Sequence, residues 1–546
     1  MYKHSIIALA IACGISASAY ATDTYDMGKV QVVGKDAQAS SINKATNDLA
    51  FGMVDKSIPL PDLTPEMESL EYKPITEKPV VENIHRENKN EYSAALGVGN
   101  RGSSEVYVNG KSQNENYNSD LIIFRHTKDG YKSSVETSQT GIKAKITSFD
   151  NDTTTIIGGV EILDAKSALR GTNSSINEGC DKNAKLADDH KRLWINGDKT
   201  LENGAFLKGY ATIDMLGRET TNDIGFSDDQ DLKNYRVGGT YKNRIDDKTN
   251  ANASIDIRRV ELDSSYGKDL SFTKTVAAYG ATREFSLKTE GSFGIKAMKS
   301  KNEDRVTPYF NVNYRPDEIW KLSLGYEEDL GNDDLEKLFL PKGRYVDTKD
   351  FEFKASTKKT VKASVDYRTH NGDLIGADIF SQKEDDSLHF FDNDDFEGRR
   401  ILSSRPRYAN AERKGITFRG DFAFEDGFFL SLRATTQNPK DGNGNRLSYE
   451  GKNILDVQFS YKNEKWMFDF TRRAESGRKA AVINGGRTEY HSLSDYSRSD
   501  LAVRYKINER FTGYLKIKDL YDEGKKIRYD VSEEGRVTLG GIEFHF

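Results

Sequence analysis

Two cysteines in 546 residues rule out a disulfide framework, and the eight histidines are too scattered to form a metal-ligand spacing with them. Gly-x-Ser-x-Gly and the Gly-rich P-loop are both missing, and spacing alone assembles no Ser/His/Asp set, so nothing points to an enzyme or a cofactor. Beyond the N-terminus no run of about 18 apolar residues occurs, which excludes a bundle of membrane-spanning helices. A strong charge of one sign is lacking too. Lys and Arg (80) are interspersed with Asp and Glu (86) for a net charge of -6, with no basic patch to serve nucleic acid. Proline is scarce at ten residues, and half of them, Pro59, Pro61, Pro65, Pro74 and Pro79, fall in one stretch.

The N-terminus carries an export pattern. Lys3 and His4 precede an apolar stretch from Ile6 to Ile15, and Ala19-Tyr20-Ala21 reads as a cleavage site, so residues 1–21 are expected to be a signal peptide. Lipoprotein processing at Cys13, after Ala10-Ile11-Ala12, is the competing reading. Cleavage after Ala21 leaves Cys180 as a single, incidental thiol. Residues 22–90 lack sustained alternation and hold the proline cluster; proline removes backbone donors and fixes φ, which predicts an extended segment, either a periplasmic tether or a lumen-lining arm.

From 91 to 546 apolar residues recur at every second position, the period of a strand with one apolar and one wet face. Val306, Pro308, Phe310, Val312 and Tyr314 alternate with Thr307, Tyr309, Asn311 and Asn313; Trp320, Leu322, Leu324 and Tyr326 alternate with Lys321, Ser323 and Gly325. Mean hydropathy of -0.71 is compatible with a membrane barrel, because only alternate strand residues meet lipid. About 22 strands are expected. Short connections near 113–116, 150–152, 316–319, 370–371, 425–426 and 508–509 interleave with long ones near 165–189, 217–230, 331–358, 386–406, 475–496 and 520–535. That sorting predicts an all-β, transmembrane antiparallel β-barrel in the outer membrane of a Gram-negative bacterium, with the short turns periplasmic, outer-membrane lipid as its partner, and the terminal Phe546 on a closing strand.

Three segments resemble TonB-dependent outer-membrane receptors: "LGVGNRGSSEVYVNG" (96–110) with "HTKDGYKSS" after it, "NAERKGITFRGDFAFEDGFFLSLRATTQNP" (410–439), and the C-terminal run from Ser494 to Asn508, Phe511 to Asp522 and Glu534 to Phe546. Asp519 stands where that family usually has Asn. "DMGKVQVVGKD" (26–36) is similar to the TonB box, which implies that Met27, Gly28, Lys29, Val30, Gln31, Val32, Val33 and Gly34 meet a TonB-type periplasmic partner by strand addition. The resemblance also implies a plug domain, and residues 22–90 are too few for one. The lumen of so wide a barrel must then be filled by the proline-rich arm, by inward-folded loops or by a separate plug protein, or else stand open.

Asp228-Asp229-Gln230-Asp231 and Asp392-Asn393-Asp394-Asp395 group carboxylates as a Ca²⁺ site would, but without the EF-hand order they read as solvated surface loops, and His389 beside the second run reads as loop surface; no metal is expected. At lumen-facing positions Arg258, Lys321, Lys362, Arg419 and Arg504 suggest an anion-selective field, whereas Asp256, Asp366, Asp421 and Asp456 at similar depth favour a mixed ion-pair network. The function expected from all this is receptor-like transport of a solute across the outer membrane. Alternatives are a passive porin-like channel and a structural or ligand-display barrel.

Overall fold

Alternation of wet and apolar side chains yields strands, and in lipid strands must close on themselves, because every backbone N–H and C=O needs a partner. The structure, a computed structural model, describes residues 89–546 apart from 115, 130–135, 151–152, 169–184, 223–224, 302, 332–344, 370–371, 394–402, 425–426, 485–486, 522–525, 529–530 and 533–534. The signal peptide, the 22–88 segment with its box-like peptide, Cys13, Cys180, Asp394 and Asp395 lie outside the described residues.

The strands, in order, are β1 (Lys89–Gly99), β2 (Ser104–Gln113), β3 (Tyr117–Asp129), β4 (Glu136–Asp150), β5 (Thr154–Ala168), β6 (Lys185–Thr200) and β7 (Phe206–Thr221). Next come β8 (Ser227–Asp246), β9 (Thr249–Ser264), β10 (Leu270–Ser286), β11 (Thr289–Ser300), β12 (Asp304–Tyr314), β13 (Trp320–Gly331) and β14 (Tyr345–Val346). They continue with β15 (Ser356–Arg368), β16 (Leu374–Asn393), β17 (Ser403–Ala423), β18 (Phe428–Gln437), β19 (Lys440–Asp441), β20 (Asn453–Lys462) and β21 (Trp466–Ser476). The last are β22 (Lys479–Asn484), β23 (Arg487–Ser492), β24 (Tyr496–Lys506), β25 (Phe511–Lys518), β26 (Lys526–Arg528), β27 (Val531–Ser532) and β28 (Val537–His545). Six short ones (β14, β19, β22, β23, β26 and β27) belong to connections, and the other 22 form one closed antiparallel barrel.

Closure runs through β28 and β1, which pair Ala94 with Phe544, Leu96 with Ile542 and Gly97 with Gly541. Glycine has a physical role at that seam. A Cβ on Gly97 would stand 2.5 Å from the Tyr514 hydroxyl and one on Gly541 2.4 Å from the same ring, so the two glycines let Tyr514 lie across the join on the inner wall.

Outward positions carry exposed apolar residues such as Leu121, Ile123, Leu193, Ile195, Leu322, Leu324, Ile379 and Phe418. Inward positions carry buried polar ones such as Thr212, Asn234, Arg258, Asn313, Asp378 and Gln458. A wall apolar outside and polar inside is stable only with lipid around it and a wet or filled lumen.

One rim has only short turns, among them 114–116, 247–248, 463–465 and 507–510. Four of these turns repeat Asx-Glu-x-aromatic: Asn114 to Tyr117, Asp317 to Trp320, Asn463 to Trp466 and Asn508 to Phe511. In each the Asx side chain accepts from the aromatic residue's backbone N–H, at 2.8, 2.8, 2.7 and 3.0 Å respectively, which starts the strand on its ring. Trp320 packs on Tyr367 (4.8 Å between centroids), Trp466 on Tyr505 (4.5 Å), Phe428 on Tyr461 (4.3 Å) and Phe511 on Phe544 (5.2 Å). These pairs form an aromatic girdle on the short-turn rim, at the level of a membrane interface.

The opposite rim holds the long connections, including 169–184, 332–355, 477–495 and 519–536. Two expected loops are shorter than the alternation implied. Pairing of Gly217 with Asp231 and of Thr221 with Ser227 carries β7 and β8 through the stretch read as a 217–230 loop, and β16 and β17 reduce 386–406 to 394–402. The β8 start, Ser227 to Asp231, is polar on both faces, so it lacks the apolar alternation that marks the rest; in β16 Leu388, Phe390 and Phe391 fall on both faces, which hides the period of two. The 438–452 connection was not anticipated as long.

Replacing Ile379, 61% exposed on the outer wall, with Arg is expected to destabilise the barrel by about 2 kcal/mol or more, since a charge there faces acyl chains. Urea unfolding from lipid vesicles measures this; an unchanged midpoint would contradict the assignment of the lipid face.

Candidate functional site

The inner wall and the long-loop mouth hold the chemistry. On the wall, Arg419 sits between two carboxylates, donating to Asp378 Oδ2 at 2.8 Å and to Asp366 Oδ1 at 2.5 Å, with Lys362 Nζ 3.3 Å from Asp378. Tyr210 donates to Asp256 at 2.9 Å and Arg236 to the same carboxylate at 3.0 Å, while Arg258 donates to Asn234 at 2.9 Å. Ser431 donates to Asp421 at 2.6 Å; Arg473 lies 3.8 Å from Asp456, and Arg504 lies 3.6 Å from Glu543. Lys321 stands opposite Asp366 in the β13–β15 pairing. The charges expected to line the lumen therefore alternate in sign, Arg419, Lys362, Arg236 and Arg504 in ion pairs and Arg258 and Asp421 on neutral partners, and do not form a field of one sign.

One register row of the wall is different. Leu163, His190, Leu216, Leu232, Leu262 and Leu270 follow one another across β5 to β10, an apolar arc broken only by His190, whose Nε2 lies 3.5 Å from Asp214. An apolar arc inside a lumen needs a cover, and part of the 332–355 connection supplies it. Val346, Phe351, Phe353 and Ala355 pack in one cluster with Leu216, Leu232, Val260, Leu262, Phe272 and Met298. Phe353 meets Phe272 edge-on (6.4 Å), and Phe351 stacks on Tyr408 (5.4 Å). Each fully buried side chain of this size contributes about 1.5–3 kcal/mol.

Polar groups hold the start of this strap, Tyr345 to Asp347, from two sides. On the β8 side, Asp228 is fully buried and accepts from the Tyr345 hydroxyl (2.8 Å), the Ser265 hydroxyl (2.8 Å), the Ser264 hydroxyl (3.2 Å) and the Tyr266 N–H (2.9 Å). Gln230 donates to the Val346 carbonyl at 2.9 Å. Burial, and then the Asp228 carboxylate, push the Tyr345 phenol well above the usual tyrosine range, so it remains a donor. On the β17 side β14 pairs in parallel with β17, Tyr345 beside Ser403 and Val346 beside Ser404, and Arg405 grips Asp347 at 2.6 Å. The strap thus ties β8 to β17.

Neighbouring loops lock onto the same edge. Ser404 donates to the fully buried Asp392 at 2.5 Å, and the Tyr449 hydroxyl donates to its other oxygen. The β22–β23 hairpin joins through Val482, opposite Asp392. Arg413 donates to Glu450 at 2.7 Å and to Glu384 at 2.9 Å. Burial would raise the Glu450 carboxyl, but the Arg413 charge and hydrogen bond hold it below the usual range.

The acid-rich runs therefore differ from expectation. Asp228 to Asp231 belong to β8, and Asp392 and Asn393 end β16; Asp228 and Asp392 are buried anchors, not solvated loop residues. His389 is likewise buried within β16, at 7% exposure, rather than on a loop surface. Among the described residues no group of three or more His, Cys, Asp or Glu could hold a metal ion. Sequence reading passed over the strap, although alternating Phe351, Phe353 and Ala355 inside a long connection were a visible signal. The box-like peptide Met27–Gly34 lies outside the described residues.

No family model matches the sequence, and no curated protein matches it. Solved structures do match in fold. The pyoverdine outer membrane receptor FpvA from Pseudomonas aeruginosa PAO1 is 13% identical, with 84% of this chain and 79% of that chain covered at a TM-score of 0.65. The FrpB iron transporter from Neisseria meningitidis is 12% identical over 84% and 82% of the two chains, with a TM-score of 0.64. The siderophore receptor PiuA from Acinetobacter baumannii is also 12% identical over 84% and 82%, with a TM-score of 0.64. By fold, this chain is a 22-strand antiparallel β-barrel similar to the barrels of these outer-membrane receptors and transporters.

Proposed function

We propose that the barrel moves a solute across the outer membrane as a gated receptor rather than as a standing pore. The observation that carries this reading is the strap, which lies across the long-loop mouth from Asp228 on β8 to Ser403 and Ser404 on β17. A pore selected for free diffusion gains nothing from an apolar arc covered by a folded loop, whereas a receptor gains a closed resting state that ligand binding can shift. The box-like peptide Met27–Gly34 would add as a strand to a TonB-type periplasmic partner, and residues 22–90 would serve as its tether or as a lumenal arm; a separate plug protein is the other way to fill the lumen. Similarity to FpvA, FrpB and PiuA makes iron and its siderophores the first solutes to test.

Two outcomes are expected. A peptide of residues 22–40 captures a TonB-type periplasmic domain, and substitution of Val30 and Val32 by Pro abolishes capture because proline cannot donate to a ladder; no capture by the natural peptide would remove the energised part of this reading. In planar bilayers the full-length protein conducts little, while Asp228→Ala, which strips a buried anchor of its charged hydrogen bonds at a cost of about 1.5–3 kcal/mol, frees the strap. Hydrogen exchange in 345–355 should then rise with the rest of the barrel still protected. Large steady openings of the unaltered protein would instead favour the passive channel.

A further inference from the structure

The joint between β12 and β13 is closed by side chains over part of its length. The β11–β12 ladder runs the whole of β12, from Thr289–Tyr314 to Lys299–Asp304, and the β13–β15 ladder runs the whole of β13, from Trp320–Tyr367 to Gly331–Ser356. Between them the β12–β13 ladder starts at Tyr314–Leu322 and stops at Phe310–Tyr326. The sequence supplies a reason. Arg315 donates its N–H to the Lys288 carbonyl, so along β12 odd residues turn their backbone groups toward β11 and even ones toward β13. Pro308, the next even residue past Phe310, has no N–H, and the ladder toward β13 ends there. On β13 the Leu330 N–H, which the same alternation turns toward β12, donates to the Met298 Sδ of β11 at 3.0 Å in place of a ladder carbonyl.

Side chains span what the backbone leaves. Fully buried Lys296 of β11 reaches past β12 to Glu327 and to Asp329, the latter at 3.0 Å. Arg305 shares the lumenal face with Met298, yet it pairs with Glu328, which lies on the outer face with Tyr326 and accepts from that phenol at 3.1 Å; this ion pair passes between the two strands. Outside, Pro308 and the exposed Val306 prolong the apolar row of Val312 and Phe310, so the break lies against acyl chains in the half of the wall toward the long loops. Inside, Met298 and Leu330 belong to the apolar cluster that the strap covers. A ladder in hydrocarbon parts only by stranding its amides, whereas here the groups that hold the strands together are side-chain pairs that can exchange partners. We propose that β12 and β13 separate beyond Phe310–Tyr326 as a lateral port, through which an amphiphile bearing an acyl chain passes between the outer leaflet and the lumen. An opening onto hydrocarbon admits chains that a water-filled route excludes, and the apolar cluster on its inner side receives them. The inference rests on the wall alone, so the port needs no TonB-type partner.

The test uses the full-length Cys180→Ser protein in liposomes that contain palmitic acid with a terminal diazirine, irradiated and then digested so that mass spectrometry locates the adducts. Folding of every variant is checked by heat-modifiable gel mobility. Adducts are expected on Met298 and Leu330 inside as well as on Val306 outside. Pro308→Cys/Glu328→Cys, bridged by a short bis-methanethiosulfonate, should lower the inner adducts about tenfold with the outer ones unchanged, and reducing the bridge should restore them. The same bridge at Val312→Cys/Leu324→Cys, where the ladder is intact, should leave labelling as it is without a bridge. Lys296→Gln, which deprives Glu327 and Asp329 of their shared cation, should raise the inner adducts severalfold. Inner adducts absent from both the Cys180→Ser protein and its Lys296→Gln variant, undiminished by the 308–328 bridge, or lowered equally by both bridges would each overturn the proposal. Failure of residues 22–40 to capture a periplasmic domain would leave these results unchanged, so the two readings fall separately.

Discussion

Everything in this molecule depends on one constraint: a backbone amide facing lipid has no water to bond with, so each strand must be paired on both edges. Twenty-two strands meet that demand only if β28 returns to β1, and the seam is built for the return. Gly97 and Gly541 remove side chains where Tyr514 crosses, and Tyr514 in turn points its hydroxyl at Glu105, at 3.4 Å, beside Lys516, which pairs with Glu105 at 2.7 Å. The last strands in the sequence are thereby fastened to the first by side chains as well as by the ladder.

Closure of the wall creates the second problem, a wide interior. Two solutions coexist on it. Charges of both signs pair across neighbouring strands, as around Arg419 and Asp256, which leaves a polar surface without a strong net field. The apolar arc from Leu163 to Leu270 is instead covered by protein over part of its length, and the start of the covering strap is fastened by buried carboxylates, Asp228 on the β8 side and the Asp347–Arg405 pair on the β17 side. Buried carboxylates that keep all their donors hold a loop firmly, yet removing one donor strands a charge; such anchors make a strap that is either seated or released.

Lipid-facing strands were legible because their period of two is a local property. Ile379 beside Asp378, or Leu324 beside Ser323, declares its face without knowledge of any partner. Legibility failed where alternation ends though the ladder continues. At Asp228 to Asp231 both faces are polar, because strand ends standing above the acyl chains have no greasy environment to match, so a strand looked like a loop. The four Asx-Glu-x-aromatic turns were readable in principle, since an Asx side chain capping the third residue's amide needs only four neighbours in sequence.

By itself the sequence determined the all-β class, the apolar side of the alternating strands and most of the sorting of short turns from long connections, since all three follow from neighbours a few residues apart. Tertiary structure alone decided that Asp228 and Asp392 are buried anchors rather than solvated loop residues, that 345–355 turns inward, and that Lys359, Lys383 and Glu412 form one row. Those facts depend on which strands become neighbours and on what a loop meets when the barrel has closed. Contacts between residues dozens to hundreds of positions apart, such as Tyr345 with Asp228 or Lys516 with Glu105, leave no trace in local periodicity.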